Sequence, residues 1–195
     1  MHEIKQLLPY CWRYPLLKGI NLICSLLVIW HFGISWQTVA ALLLTWGLFA
    51  LALIDWEHYL LPDVITLPLL GMGLLLNLGK IFCPFTVAFI GAISGYAILW
   101  LCAWLFTYTT GKVGMGQGDF KLLAMLGAWL GWQQLPLIIL LSSLTGSIFG
   151  IGLVLIKKQS RQQLIPFGPF LALGGYIALF YGPAVLQYYN HLFVS

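Results

Sequence analysis

Gln37–Ile54 reads QTVAALLLTWGLFALALI and Pro136–Ile156 reads PLIILLSSLTGSIFGIGLVLI, two runs without a single charged side chain. A helix needs about 20 mostly apolar residues to cross a hydrocarbon core roughly 30 Å thick, and both runs approach or reach that length. A barrel strand would instead alternate apolar and polar residues over about ten positions, and neither run alternates. The whole chain follows the same pattern. Its 195 residues are 61% hydrophobic and 7% charged, with a mean hydropathy of +0.95; soluble domains run near 45–50% apolar and about 25% charged. So little polar surface cannot cover a water-soluble fold, whereas a bilayer accepts lipid-facing Leu, Ile, Phe and Trp. The expectation is an all-α polytopic membrane protein, because only helices and closed barrels satisfy their backbone groups inside lipid.

Extending the reading gives apolar segments at Leu17–Phe32, Gln37–Ile54, Val64–Leu78, Phe85–Tyr108, Phe120–Trp132, Leu135–Ile156 and Pro169–Tyr188, a bundle of about seven transmembrane helices. The fifth is short: about thirteen residues at 1.5 Å each reach only roughly 20 Å. Charge decides whether it crosses. With seven crossings, Lys5, Arg13, Lys18, Lys112, Lys121, Lys157, Lys158 and Arg161 share one side and Lys80 alone takes the other. Cytoplasmic loops are enriched in Lys and Arg, so this places the amino terminus in the cytoplasm. A re-entrant fifth segment would move Lys157, Lys158 and Arg161 across and erase the bias. The short helix is then expected to be shielded by neighbouring helices rather than by lipid.

No fixed-period repeat, low-complexity tract or long linker divides the chain, so residues 1–195 are read as one membrane-embedded domain, with 1–16 as a cytoplasmic segment. Met1-His2-Glu3-Ile4-Lys5 is not followed by the charged, apolar and small-residue pattern of a removable signal peptide. Cys11, Cys24, Cys83 and Cys102 form no CxxC pair, and the four histidines form no ligand cluster. No metal or cofactor is expected, and no nucleic-acid partner.

Five acids exist, Glu3, Asp55, Glu57, Asp63 and Asp119, and four lie beside apolar spans on one expected face. A carboxylate at membrane depth is costly, so such acids tend to face a protein interior or water cavity and to be functional. Short turns also carry acids merely to end a helix, and Glu57 is read that way, as is His58 as a solvated loop residue. Asp55 closes the second span after Ala50-Leu51-Ala52-Leu53-Ile54; Asp119 opens the fifth after Gly114-Met115-Gly116-Gln117-Gly118. A plain structural role for Asp119 is available too, since a carboxylate can cap a helix amino terminus. Glycine permits close backbone approach and positive φ, which suits a loop beside a reacting peptide, with Gly116 and Gly118 shaping it. No Gly-Lys-Ser/Thr follows and no strand precedes, which removes a phosphate-binding reading. Two carboxylates brought together share one proton, so that one serves as base and the other as acid in activating water against an amide. Ser142 and Ser143 lie within an apolar span with no histidine partner and supply no rival nucleophile.

Gly114-Met115-Gly116-Gln117-Gly118-Asp119-Phe120-Lys121-Leu122-Leu123-Ala124 resembles the signature of the type IV prepilin peptidases, GxGD-class membrane aspartyl proteases. Ile54-Asp55, Leu61-Pro62-Asp63, Thr66-Leu67-Pro68, Gly127-Ala128-Trp129-Leu130-Gly131-Trp132, Leu141-Ser142-Ser143-Leu144 and Pro166-Phe167-Gly168-Pro169 resemble that family in the same order, from about Arg13 to Pro183. The resemblance implies cleavage of the basic leader from type IV prepilins or type II secretion pseudopilins, at the cytoplasmic face of a bacterial inner membrane. It maps the catalytic pair onto Asp55 and Asp119 and makes Asp63, in the LPD element, site-shaping. Lys121 and Lys112 are placed to steady the pair electrostatically, besides contributing to the positive-inside charge. Full-length members usually begin with a further span and a loop of paired CxxC motifs linked to amino-methylation of the trimmed pilin with S-adenosylmethionine. Nothing equivalent precedes Arg13, so neither zinc binding nor methyl transfer is expected of this short form.

Two other readings compete: a non-catalytic relative that binds pilin-like helices during assembly, and a small transporter. Intact Asp55 and Asp119 argue against the first. Against the second, Asn21, Thr45, Asn77, Ser94, Ser142, Ser143 and Thr145 are sparse and trace no pathway across the spans. The partners expected are therefore pilin substrates and membrane lipid, with self-association left open.

Overall fold

The computed structural model describes residues 15–111, 116–157 and 166–193, and the regular structure among them is helical. Among the described residues seven α-helices follow one another: α1 Pro15–Phe32, α2 Trp36–His58, α3 Asp63–Leu78, α4 Phe85–Thr110, α5 Gln117–Leu130, α6 Leu135–Lys157 and α7 Gly168–Phe193, with one 3-10 turn at Trp132–Gln134 between α5 and α6. Each expected apolar segment has become one helix. Four stretches, Trp36–His58, Phe85–Thr110, Trp132–Leu153 and Gly168–Tyr188, are long and apolar enough to cross a membrane, and Leu17–Phe32 and Asp63–Leu78 are shorter apolar helices. Side chains such as Trp30, Trp46, Ile90, Trp100, Leu140 and Ile148 are exposed on the outside of the bundle. Lipid accepts such a surface and water does not. The protein is a multi-pass helical membrane protein.

The chain alternates between two ends of the bundle. At one end Lys121, in the first half of α5, meets Asp63 at the start of α3. At the other, Asn77 in the last turn of α3 meets Ala128 and Trp129 near the end of α5. The two short helices therefore run parallel and connect the same two ends. The fifth segment runs from one end of the bundle to the other, and the remaining turns fit this: Gln37 at the start of α2 donates to the carbonyl of Ile81, beside Asn77, and Gln134 packs against Gly182 in α7. Lys80 also lies at the Asn77 end, its N–H bonded to the Asn77 carbonyl at 3.1 Å. Lys121 and Lys80 thus occupy opposite ends, as the charge count requires; Lys5, Arg13, Lys112, Lys158 and Arg161 lie outside the described residues.

How a helix of 14 residues survives in the bundle follows from its surroundings. Phe120, Leu122, Leu123, Met125, Leu126 and Trp129 are all buried, so α5 is the core rather than part of the lipid-facing ring. Its closest neighbour is α4: a Cβ on Gly91 would collide with the Gly127 carbonyl, and one on Gly127 with the Gly91 carbonyl. Small residues of this kind let membrane helices bring their backbones together. The far end of α5 leaves carbonyls without intrahelical partners, and these cannot turn to water. Asn77, fully buried, donates Nδ2–H to the carbonyls of Ala128 and Trp129, both at 2.9 Å. Its Oδ1 accepts from Phe82 N–H at 3.1 Å and Cys83 N–H at 3.2 Å, tying the α3–α4 turn to the same knot. Trp129 completes the contact by donating Nε1–H to the Leu69 carbonyl at 2.7 Å.

Candidate active site

Asp55 sits in the last turn of α2, which runs on to His58 before Tyr59 closes it in the left-handed conformation, φ 54°, with its N–H on the Asp55 carbonyl. The span therefore does not end at Asp55 but one turn later, since the helix continues through Trp56, Glu57 and His58. His58 is the last helical residue and not a loop residue; its ring lies 3.9 Å from Glu57. On the other wall, α5 begins at Gln117 with Gly116 in the cap position, so Asp119 lies inside the first turn and is not the cap. Its N–H donates to the Gly116 carbonyl at 3.3 Å.

Both carboxyls are nearly enclosed, Asp55 6% and Asp119 8% exposed. They lie at the same end of the bundle on different helices, Asp55 in the last turn of α2 and Asp119 in the first turn of α5, two residues before the Lys121 that binds Asp63. Tyr96 stacks edge-on against Phe120 beside Asp119, and Trp56, Phe149 and Phe170 form a chain of ring contacts beside Asp55. Two aspartates in a mostly apolar setting have the makings of a proton-sharing pair.

The other residues expected to shape the site divide into those in contact with it and those at its rim. Gly118 is pressed against Leu61 of the Leu61-Pro62-Asp63 element: a Cβ there would stand 2.8 Å from the Leu61 Cβ, closer than side chains tolerate. Gly116 is less constrained, since a Cβ would lie 3.9 Å from Asp119 Oδ2, an ordinary contact. Lys121 Nζ is bound by Asp63, at 2.7 Å from Oδ1 and 2.6 Å from Oδ2. The ammonium is thus engaged by the third acid at this end rather than by the pair. Lys112 and Gly114 lie outside the described residues.

One contact was not foreseen. Gly168, the first residue of α7, donates its N–H to Asp55 Oδ2 at 2.9 Å. The only sequence signal for it was Pro166-Phe167-Gly168-Pro169 ahead of an apolar run, a motif that carries no charge and so drew no chemical role.

No group of three or more His, Cys, Asp or Glu comes together among the described residues. Cys83, in the turn before α4, is half-buried, and burial pushes its thiol up to about 11. It stays protonated at neutral pH and is a poor nucleophile.

Fold and site together define a polytopic helical membrane protein with two enclosed aspartates, on two helices, at one end of the bundle. The particular group is equally plain, for residues 42–151, more than half the chain, match the type IV leader peptidase family, and the chain belongs to that family. A prepilin leader peptidase/N-methyltransferase of Aeromonas salmonicida is 53% identical over 177 residues, covering 91% of this chain and 61% of the relative. One from Pseudomonas aeruginosa has the same identity and coverage. One from Legionella pneumophila is 46% identical over 181 residues, 93% of this chain and 63% of the relative. The chain thus spans a little over three fifths of the length of these relatives. No solved structure matches it.

Proposed function

We propose that the chain is an aspartyl endopeptidase that removes the basic leader from type IV prepilins or type II secretion pseudopilins. The observation that carries the reading is the placement of Asp55 and Asp119, both nearly enclosed and on two different helices, at the same end of the bundle. Family membership and the names of the relatives support the substrate class. We assign the peptidase activity alone to these residues.

One carboxylate takes a proton from water as the water oxygen bonds to the scissile carbonyl carbon, and the other carboxyl gives its proton to the carbonyl oxygen. Collapse of the tetrahedral intermediate breaks the C–N bond. The proton held by the base passes to the departing nitrogen while a hydroxyl of the intermediate returns its proton to the other carboxylate, so the pair is left sharing one proton again. Gly116, Gly118, Asp63 and Lys121 shape the approach to the pair in this reading. The site faces the cytoplasm of a bacterial inner membrane, supported by the basic residues expected at the acid end. Substrate helices reach it from the surrounding lipid.

Co-expression of the chain with candidate prepilins tests the proposal by leader removal on a gel. A shift to the mature length is expected. Unprocessed prepilin beside well-accumulated, membrane-inserted protein would overturn it, and co-purification of that uncut prepilin would favour the assembly reading.

A further inference from the structure

A carboxylate pair needs some asymmetry if one member is to act as base and the other as acid, and the contact between Gly168 and Asp55 supplies one. The Gly168 N–H lies 2.9 Å from Asp55 Oδ2 across 113 positions of chain. It is the first N–H of α7, at the positive end of the helix dipole, and it is left to Asp55 because Pro169 has no N–H and those of Phe170 and Leu171 donate to the Phe167 carbonyl. The approach is steric as well as polar. A Cβ on Gly168 would stand 2.6 Å from Asp55 Oδ2, 3.0 Å from Cγ and 3.2 Å from Cβ. Only a residue without a side chain lets the backbone come this near.

We propose that Gly168 is a positioning residue that holds Asp55 as the ionised member of the pair, making Asp55 the base and Asp119 the acid. The assignment rests on the aspartyl-peptidase reading for its chemistry. A hydrogen bond to an ionised acceptor is about twice as strong as one to a neutral acceptor, so the donor favours leaving the shared proton on Asp119. It also occupies Oδ2 and so leaves Oδ1 to accept from the attacking water. Among the described residues, other charged groups also lie at the Asp55 end. Asp119 stands in the first turn of α5; Asp63 and Lys121 are bound to one another. On α2 itself Glu57 and His58 are paired, and Lys18, on α1, is exposed at the same end.

Dicyclohexylcarbodiimide, an apolar reagent that modifies protonated carboxyls, reads the position of the proton by mass spectrometry without any cleavage. In the full chain in detergent, Asp119 is expected to be modified first as pH is lowered, and Asp55 later. Gly168→Ala, which displaces the carboxylate, should let Asp55 be modified at a pH higher by about one to two units, the loss of one charge-assisted hydrogen bond. The rising acid limb of kcat/KM should move up with it. Should the alanine variant fail to accumulate, an amide-to-ester change at the Phe167–Gly168 bond, which removes the N–H and adds no bulk, is expected to give the same shift. Modification of Asp55 first in the unaltered protein, or an unmoved limb and labelling order in the variants, overturns the assignment. An unaltered protein that cuts no prepilin yet labels at Asp119 first, with that order lost in the variants, leaves the role of Gly168 standing and removes the proposed function instead.

Discussion

Lys121 Nζ rests between both carboxylate oxygens of Asp63, at 2.7 and 2.6 Å, and so joins the start of α5 to the start of α3 across 58 positions of chain. The pair is well formed but wet, with 28% of the Lys121 side chain and 52% of the Asp63 side chain exposed. Exposed ion pairs contribute about 0–1 kcal/mol. Asp63→Asn is therefore expected to cost less than about 1 kcal/mol, read as a small change in thermal unfolding in detergent. It should keep substantial leader cleavage, since Asp63 stands outside the reacting pair. An inactive but folded Asp63→Asn would reverse the roles given to the three aspartates at this end.

Asp55→Asn and Asp119→Asn each keep the shape of the side chain while removing the ability to exchange a proton. Each is expected to abolish leader cleavage while the protein still inserts and accumulates, because exchanging a nearly enclosed acid for a neutral amide does not bury a new charge. Wild-type cleavage by either variant would remove that residue from the mechanism.

Asn77→Leu probes the other end of the bundle. It strips hydrogen bonds from the buried carbonyls of Ala128 and Trp129 and from the half-buried amides of Phe82 and Cys83. Each buried polar group left unmade costs about 1–3 kcal/mol, so a marked loss of folded, membrane-inserted protein is expected. Near-native thermal stability would show that these groups find other partners.

The two ends of the bundle should face opposite compartments. In a cysteine-free background, an impermeant maleimide added to intact cells is expected to label Lys80→Cys, and to reach Glu57→Cys only after the membrane is opened. Labelling of Glu57→Cys in intact cells would invert the orientation.

What the sequence by itself determined was whatever depends on composition along a single helix. Uninterrupted apolar runs such as Gln37–Ile54 and Leu135–Ile156 leave no structure but a membrane helix, so all seven helices were legible to within a few residues. The distribution of Lys and Arg even indicated that the short fifth segment crosses. Asp55 and Asp119 were legible as candidates because charge is so rare in this chain that every acid beside a span requires a reason. Helix ends were less so, because a single turn adds little to an apolar pattern: α2 outlasts Asp55, and Gly116 rather than Asp119 caps α5.

Only the tertiary structure decided which residues meet. Lys121 could have served any of several acids at its end, and packing gives it to Asp63. Asn77 looked like a stray polar residue in a span and is the cap of α5. Gly168 was beyond reach altogether, because its role resides in a backbone N–H that every residue but proline possesses. What makes that N–H functional is the absence of a Cβ together with the seating of α7 against α2, and such a relation between two helices exists only once they are packed.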